Sequence, residues 1–143
     1  MDKEKRVLKF LLVEDDPDFR SVMERLIMRY AEDRGFGAKI LSAAAYREAK
    51  EVLEHETVDI AISDYRLAEG PTGLEFKEYC STEFPSIPFI LMSGQPGEVF
   101  EGLLSRGEDS GHYLTKPFKV LDCRKIIDEA LRAAVVLPIK IRA

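Results

Sequence analysis

The feature that most limits how this chain can fold is a fivefold alternation between short apolar runs and segments with helical spacing of apolar residues. The predicted strands cover residues 7–13, 38–42, 58–63, 87–92 and 111–115. The predicted helices cover about 17–30, 45–53, 74–84, 96–106 and 118–134. Nearly continuous apolar strands joined by helices require crossover connections. The pattern therefore predicts an α/β fold, an open doubly wound parallel sheet with helices on both faces.

Size and charge narrow the class of protein further. The 143 residues suit one domain, which we assign to residues 1–134, followed by a tail at 135–143 of unassigned purpose. A net charge of -5 argues against nonspecific nucleic-acid binding and favours proteins or cations as partners. No apolar run approaches the ~20 residues of a membrane span, and Cys80 and Cys123 have no metal-ligand spacing. We expect a cytoplasmic chain with free thiols and no membrane partner.

Polar side chains follow four of the predicted strands. Glu14 and Asp15 follow the first strand, Asp64 the third, Ser93 the fourth and Lys116 the fifth. Ligands of such sheets bind at the carboxyl ends of the strands, so these groups are expected to meet. Clustered carboxylates favour a divalent cation, and Mg²⁺ prefers oxygen ligands. An ammonium and a hydroxyl opposite them suit a transferred phosphoryl group, with Asp64 as the candidate nucleophile.

Each of these residues also has a purely structural interpretation. Asp15 and Asp16 precede Pro17 and could cap the first helix. Ser93 could be a turn residue, Lys116 a solvated charge, and Tyr113 a half-buried packing residue. Their coincidence at four separate strand ends favours one shared site.

Four motifs carry a resemblance to a known family. They are Leu-Leu-Val-Glu-Asp-Asp-Pro at 11–17, Ile-Ser-Asp-Tyr-Arg-Leu at 62–67, Leu-Met-Ser-Gly at 91–94 and Tyr-Leu-Thr-Lys-Pro-Phe at 113–118. In this order and spacing, residues from about 7 to 134 resemble the CheY-like receiver domain of two-component response regulators. The resemblance implies a flavodoxin-like (βα)5 fold with a five-stranded parallel sheet in the order 2-1-3-4-5.

The resemblance also implies a role for each polar residue. Asp64 would be the phosphoacceptor, Ser93 the hydroxyl that contacts phosphate, Lys116 the ion-pairing lysine and Tyr113 the switch aromatic. Phosphate on Asp64 would draw in Ser93 and turn Tyr113 inward. This movement would alter the face formed by the fourth helix, the fifth strand and the last helix.

A metal site is implied as well. Asp15, Asp64 and the backbone carbonyl of Arg66 would hold Mg²⁺, with Glu14 acting largely through water. The peptide bond between Lys116 and Pro117 would be cis.

The implied partners are proteins. A sensor histidine kinase or a histidine phosphotransfer protein would phosphorylate the chain, which would signal to a downstream protein or a further output domain, with no direct contact to nucleic acid. Phosphorylation could also produce a homodimer. The chain would not be a dedicated enzyme, apart from slow loss of its own phosphate. The sequence leaves open whether it acts alone or as a piece of a longer regulator.

Two departures from the commoner family form concern the surroundings of Asp64. The loop at 68–73 is one residue longer, and Arg66 and Gln95 stand where side chains influence how water reaches the acyl phosphate.

Three other interpretations compete with a phosphorylated receiver. Asp16-Pro17-Asp18 has the spacing of haloacid dehalogenase phosphatases, but Arg20 replaces the Thr or Val that those enzymes need. A flavodoxin-like carrier would have its flavin phosphate repelled by the acidic residues after the first strand. A receiver fold that serves only as a protein-interaction module and is never phosphorylated is the main alternative.

Overall fold

The computed structural model describes residues 6–94 and 112–134 and contains a single five-stranded sheet. Its elements are β1 (Val7–Val13), α1 (Pro17–Arg34), β2 (Gly37–Ala43), α2 (Tyr46–His55), β3 (Ile60–Asp64), α3 (Gly73–Glu83), β4 (Phe89–Ser93), β5 (His112–Thr115) and a last helix (Val120–Ala133). All neighbouring strands are parallel, in the order β2-β1-β3-β4-β5. The predicted fold class is confirmed. The predicted helix at 96–106, Gln95 and the tail at 135–143 lie outside the described residues.

Several elements begin one or two residues away from their predicted bounds. The third strand begins at Ile60, because the Asp59 carboxylate accepts the backbone N–H of Lys9 at 2.8 Å just before it. The fourth strand begins at Phe89, directly after Pro88, which has no N–H to donate to a ladder. Such shifts leave the carboxyl ends of the strands, where the polar residues lie, in their predicted places.

The apolar core has two parts, one on each face of the sheet. β1 contributes side chains to both parts, because successive side chains of a strand point to opposite faces. Leu8, Phe10 and Leu12 belong to the first cluster, whereas Leu11 and Val13 belong to the second. The first cluster includes residues of α1 and the last helix, and the second includes residues of α2 and α3. Helices therefore cover both faces of the sheet.

The start of α1 is fixed by residues that follow β1. Asp16 is the N-cap, and its Oδ1 atom accepts the backbone N–H of Asp18 at 3.0 Å, while Pro17 occupies the first helical turn. The capping interpretation is thus correct for Asp16. The Asp-x-Asp spacing at 16–18 is accounted for by this cap.

A polar contact joins α1 to the last helix within the buried first cluster. Asp128 accepts hydrogen bonds from the Tyr30 hydroxyl and from two guanidinium nitrogens of Arg34, at 3.1 and 2.6 Å. Arg124 forms a second link to Asp33 at 2.8 Å. These bonds hold α1 against the last helix, and the two helices begin beside the candidate site.

The two cysteines are free, as predicted, and both are buried. Burial raises the pKa of both the Cys80 and the Cys123 thiol to about 12. Within residues 6–94 and 112–134, no helix has the length and apolar character needed to cross a membrane.

Candidate functional site

The register of the sheet brings the predicted site residues to one edge. Val13 pairs with Ser63, so Glu14, which directly follows β1, and Asp64, which ends β3, lie at the same level of the sheet. Asp64 pairs with Met92, one residue before Ser93. Ser93 pairs with Thr115, and Lys116 comes next. The parallel ladder alone therefore assembles the acids, the hydroxyl and the amine.

Glu14 is fixed by bonds from several directions and is only 1% exposed. Its Oε1 atom accepts from the Lys116 ammonium at 3.0 Å, and its Oε2 atom accepts from the backbone N–H of Asp16 at 3.2 Å. The Arg20 guanidinium donates to the Glu14 backbone carbonyl at 2.9 Å. These contacts set the course of the loop between β1 and α1, and this loop also carries Asp15.

Lys116 bridges the two buried carboxylates. Its Nζ atom lies 3.1 Å from Oδ1 of Asp64 as well as 3.0 Å from Glu14, and its side chain is 22% exposed. The Lys116 backbone N–H donates to the Ser93 carbonyl at 2.8 Å, and the bond to Pro117 is cis, as predicted. The ammonium is held at the centre of the strand ends.

The site contains more buried negative charge than Lys116 balances. Burial raises the pKa of the Glu14 carboxyl, although the hydrogen bond from Lys116 opposes the shift. Burial also raises the pKa of Asp64 against the same ammonium. Burial lowers the pKa of Lys116, but Glu14 and Asp64 outweigh this effect and leave it raised. An additional cation would offset the desolvation of the two carboxylates.

The acidic residues can accommodate Mg²⁺. Glu14, Asp15 and Asp64 each offer a carboxylate oxygen, and these oxygens lie within 4.8 Å of one another. Asp15 is exposed, so the cluster opens toward solvent on its side. Hard carboxylate oxygens with access to water are the donor set that Mg²⁺ prefers, and the residues therefore fit this ion.

The remaining predicted residues lie on or directly after β3, β4 and β5. Ser93 is buried at the end of β4, and Arg66 is exposed two residues after Asp64. Tyr113 lies on β5 opposite Leu91, is half-buried and packs against the second core cluster. The structure thus brings Glu14, Asp64 and Lys116 into direct contact and keeps Tyr113 in the adjoining core.

Three residues at the site were not predicted from the sequence. The Phe19 ring lies 4.0 Å from the Lys116 ammonium, and Arg20 binds the carbonyl of Glu14. Gly73 lies so close to the end of β3 that a Cβ atom added to it would lie 1.9 Å from the Asp64 carbonyl oxygen. The capping box of Thr72 and Glu75 marks the start of α3 at Gly73, but it does not indicate the contact with Asp64.

Comparison with known proteins agrees with this geometry. The family model of the response regulator receiver domain matches residues 10–128. The chain is 29% identical to the response regulator protein PilR of Pseudomonas aeruginosa over 124 residues, and 30% identical to the regulatory protein VirG of Rhizobium rhizogenes over 125 residues. The matches cover 87% of this chain but only 26% of PilR and 49% of VirG. The chain therefore corresponds to about a quarter and about half of these relatives.

Solved structures share the fold. A signal receiver domain of an HD domain-containing protein from Pseudomonas fluorescens superimposes with a TM-score of 0.77 at 21% identity, covering 92% of this chain and 100% of that one. A CheY-like receiver domain protein from Methanospirillum hungatei gives a TM-score of 0.67 at 25% identity, covering 91% and 98%. With the family match over most of its length, the chain belongs to the receiver domain family of two-component response regulators.

Proposed function

We propose that this receiver domain accepts a phosphoryl group on Asp64 from the phosphohistidine of a sensor histidine kinase or a histidine phosphotransfer protein. The observation that carries the proposal is the position of Asp64. Its carboxylate ends β3 at 3.1 Å from the Lys116 ammonium, inside the cluster with Glu14 and Asp15. A nucleophile, a cation and further acidic ligands are thus within reach of one transferred group.

In this transfer, each side chain contacts a particular atom of the phosphoryl group. A carboxylate oxygen of Asp64 forms the new oxygen–phosphorus bond while the nitrogen–phosphorus bond of the donor histidine breaks. The Lys116 ammonium is placed to contact a phosphoryl oxygen, and the Ser93 hydroxyl is the donor for another. Arg20 and the capped start of α1 hold the acidic loop, so little reorganisation is needed when the group arrives.

Asp15, Asp64 and the backbone carbonyl of Arg66 would hold Mg²⁺, with Glu14 acting largely through water. When bound, Mg²⁺ supplies positive charge that neutralises the phosphoryl oxygens. The raised pKa values of Glu14 and Asp64 support this assignment, because both carboxylates are buried with one ammonium between them.

Signalling would follow from a shift between two conformations. Phosphate on Asp64 would draw the Ser93 hydroxyl toward it, and Tyr113 would turn inward beside β4. The face around β5 and the last helix would change and bind a downstream protein, an output domain or a second copy. Ser93 ends β4, and Tyr113 lies on the neighbouring β5 opposite Leu91, two residues before Ser93, which supports this route.

Unfolding experiments with Mg²⁺ and beryllofluoride, a mimic of the phosphoryl group, test the proposal. We expect Mg²⁺ to stabilise the wild-type protein, by about 2.7 kcal/mol at a hundredfold excess over its Kd, and beryllofluoride to stabilise it further. Asp64→Asn should abolish the beryllofluoride response. Asp59→Asn is the matched control, because Asp59 precedes the opposite end of β3, and it should respond like the wild type. A response in Asp64→Asn equal to that of the wild type would contradict the proposal, and no response in any of the three proteins would favour a non-phosphorylated interaction module.

The same variants have an expected pH dependence without Mg²⁺. Because burial raises the pKa of Asp64, its folded state binds more protons than its unfolded state. The contribution of Asp64 to the free energy of unfolding is fully present below the pKa of Asp64 in the unfolded chain. It is lost as the pH rises through the pKa of Asp64 in the folded protein. Asp64→Asn should therefore be more stable than the wild type at about pH 7, and the difference should shrink below about pH 4. A destabilised Asn variant at neutral pH would show that the Lys116 pairing outweighs burial.

A further inference from the structure

The Lys116 ammonium has a third neighbour besides its two carboxylates. Its Nζ atom lies 4.0 Å from the centroid of the Phe19 ring, while Glu14 and Asp64 contact it at 3.0 and 3.1 Å. An ammonium is attracted by the negative face of an aromatic ring, and the attraction grows as the ammonium is withdrawn from water. With a side chain that is 22% exposed, Lys116 is largely withdrawn.

The Phe19 ring is itself held in place. Phe19 stands in the first turn of α1, where Asp16 caps the helix and Asp18 donates to that cap. Phe118 packs edge-on against the ring, with centroids 5.9 Å apart and planes at 78°. The ring therefore lies between the start of α1 and the segment that follows Lys116, braced from both sides.

This arrangement restricts a side chain that is otherwise very mobile. Lysine has four rotatable bonds, and ordering such a side chain opposes any contact it makes. A ring against the ammonium, in addition to the two carboxylates, removes alternative positions of the side chain and reduces its contact with water. The positive charge is then already in place when a phosphoryl group reaches Asp64, which is the condition for effective electrostatic stabilisation.

We propose that Phe19 is a positioning residue: its ring holds the Lys116 ammonium against Asp64 and thereby sets the affinity of the site for a phosphoryl group. The inference rests on the proposed function of Asp64 and adds a residue that none of the four sequence motifs includes. It also predicts that the π electrons of the ring, and not only its bulk, are what matters.

The test is beryllofluoride affinity in a series of variants at position 19. Phe19→Leu keeps an apolar side chain without a ring, and we expect its Kd for beryllofluoride to rise about fivefold, which corresponds to about 1 kcal/mol. Phe19→Tyr should restore an affinity close to that of the wild type. Trifluorophenylalanine at position 19 keeps the shape of the ring but weakens its negative face, so the protein that carries it should bind beryllofluoride more weakly than the wild type. This variant tests the inference even if Phe19→Leu fails to fold.

Two further readouts separate positioning from general damage. In NMR spectra, the ε-methylene resonance of Lys116 should be displaced by the ring in the wild type and in Phe19→Tyr, and should return to its ordinary position in Phe19→Leu. Phe36→Leu is the matched control, because Phe36 is a buried ring that packs against Tyr30 at the far end of α1. It should lower stability while leaving beryllofluoride affinity unchanged.

The outcomes distinguish this inference from the function it rests on. Wild-type binding that is lost in Asp64→Asn but equal in phenylalanine, leucine and trifluorophenylalanine proteins would overturn the role of Phe19 alone. Absence of binding in the wild type would overturn both. Equal weakening in Phe19→Leu and Phe36→Leu would assign Phe19 to the core rather than to Lys116.

Discussion

Gly73→Ala is expected to lower the free energy of unfolding by about 3 kcal/mol, although alanine favours helices more than glycine does. A Cβ atom at position 73 would lie 1.9 Å from the Asp64 carbonyl oxygen, 2.8 Å from its carbonyl carbon and 3.0 Å from the Tyr65 Cα. These are backbone atoms, which cannot turn aside as a side-chain end would. Either α3 or the end of β3 must move.

The contact also connects α3 to the candidate site. The Gly73 N–H donates to the Tyr65 carbonyl at 2.7 Å, directly after Asp64. A displaced β3 end would move the Asp64 carboxylate away from Lys116, so the same variant should lose most of its response to beryllofluoride. Urea unfolding and beryllofluoride titration measure the two effects.

Gly94→Ala is the matched control for this substitution. Among residues 6–94 and 112–134, nothing would lie within 4 Å of a Cβ atom at Gly94, so the free energy of unfolding of Gly94→Ala should change by no more than about 0.5 kcal/mol. If Gly73→Ala behaved like Gly94→Ala, the close packing of α3 on β3 would be wrong.

Lys116→Met should reduce the rate of phosphorylation by acetyl phosphate about a hundredfold, within the range seen when a preorganised electrostatic donor is removed. Methionine keeps an unbranched apolar stem but removes the ammonium that lies 3.0 Å from Glu14 and 3.1 Å from Asp64. The phosphoryl oxygens would then lack one positive charge, and two buried carboxylates would lack their partner. Phosphorylation is followed by intact mass against time.

Lys119→Met provides the comparison for this experiment. Lys119 is exposed at the N-cap of the last helix and its side chain makes no capping bond there, so its replacement should leave the rate within about twofold of the wild type. An unchanged rate in Lys116→Met would show that the ammonium takes no part in the transfer.

Much of the fold could be predicted because it depends on local patterns. The strands and helices follow from the spacing of apolar residues, and the parallel sheet follows from their alternation. The grouping of Glu14, Asp64, Ser93 and Lys116 needed only one further step, since parallel strands place their carboxyl ends at the same edge. The family resemblance supplied what spacing could not, such as the cis bond before Pro117.

The contacts that refine the site were not predictable in the same way. The Phe19 ring meets Lys116 although about two thirds of the chain length separates them in sequence, and nothing in the spacing of α1 distinguishes Phe19 from an ordinary core residue. Gly73 could be identified as a turn residue, but its approach to Asp64 depends on how closely α3 packs against β3. Such distances arise from tertiary packing, which a single sequence does not encode in any local pattern.

The most direct test of the account is covalent labelling by acetyl phosphate in the presence of Mg²⁺, followed by intact mass and peptide mapping. Wild-type protein should gain the mass of one phosphoryl group, located on Asp64, and should lose it again with time. Asp64→Asn should gain nothing, whereas Asp59→Asn should be labelled like the wild type. A phosphoryl group on another residue, or equal labelling of Asp64→Asn, would contradict the assignment of Asp64 as the phosphoacceptor.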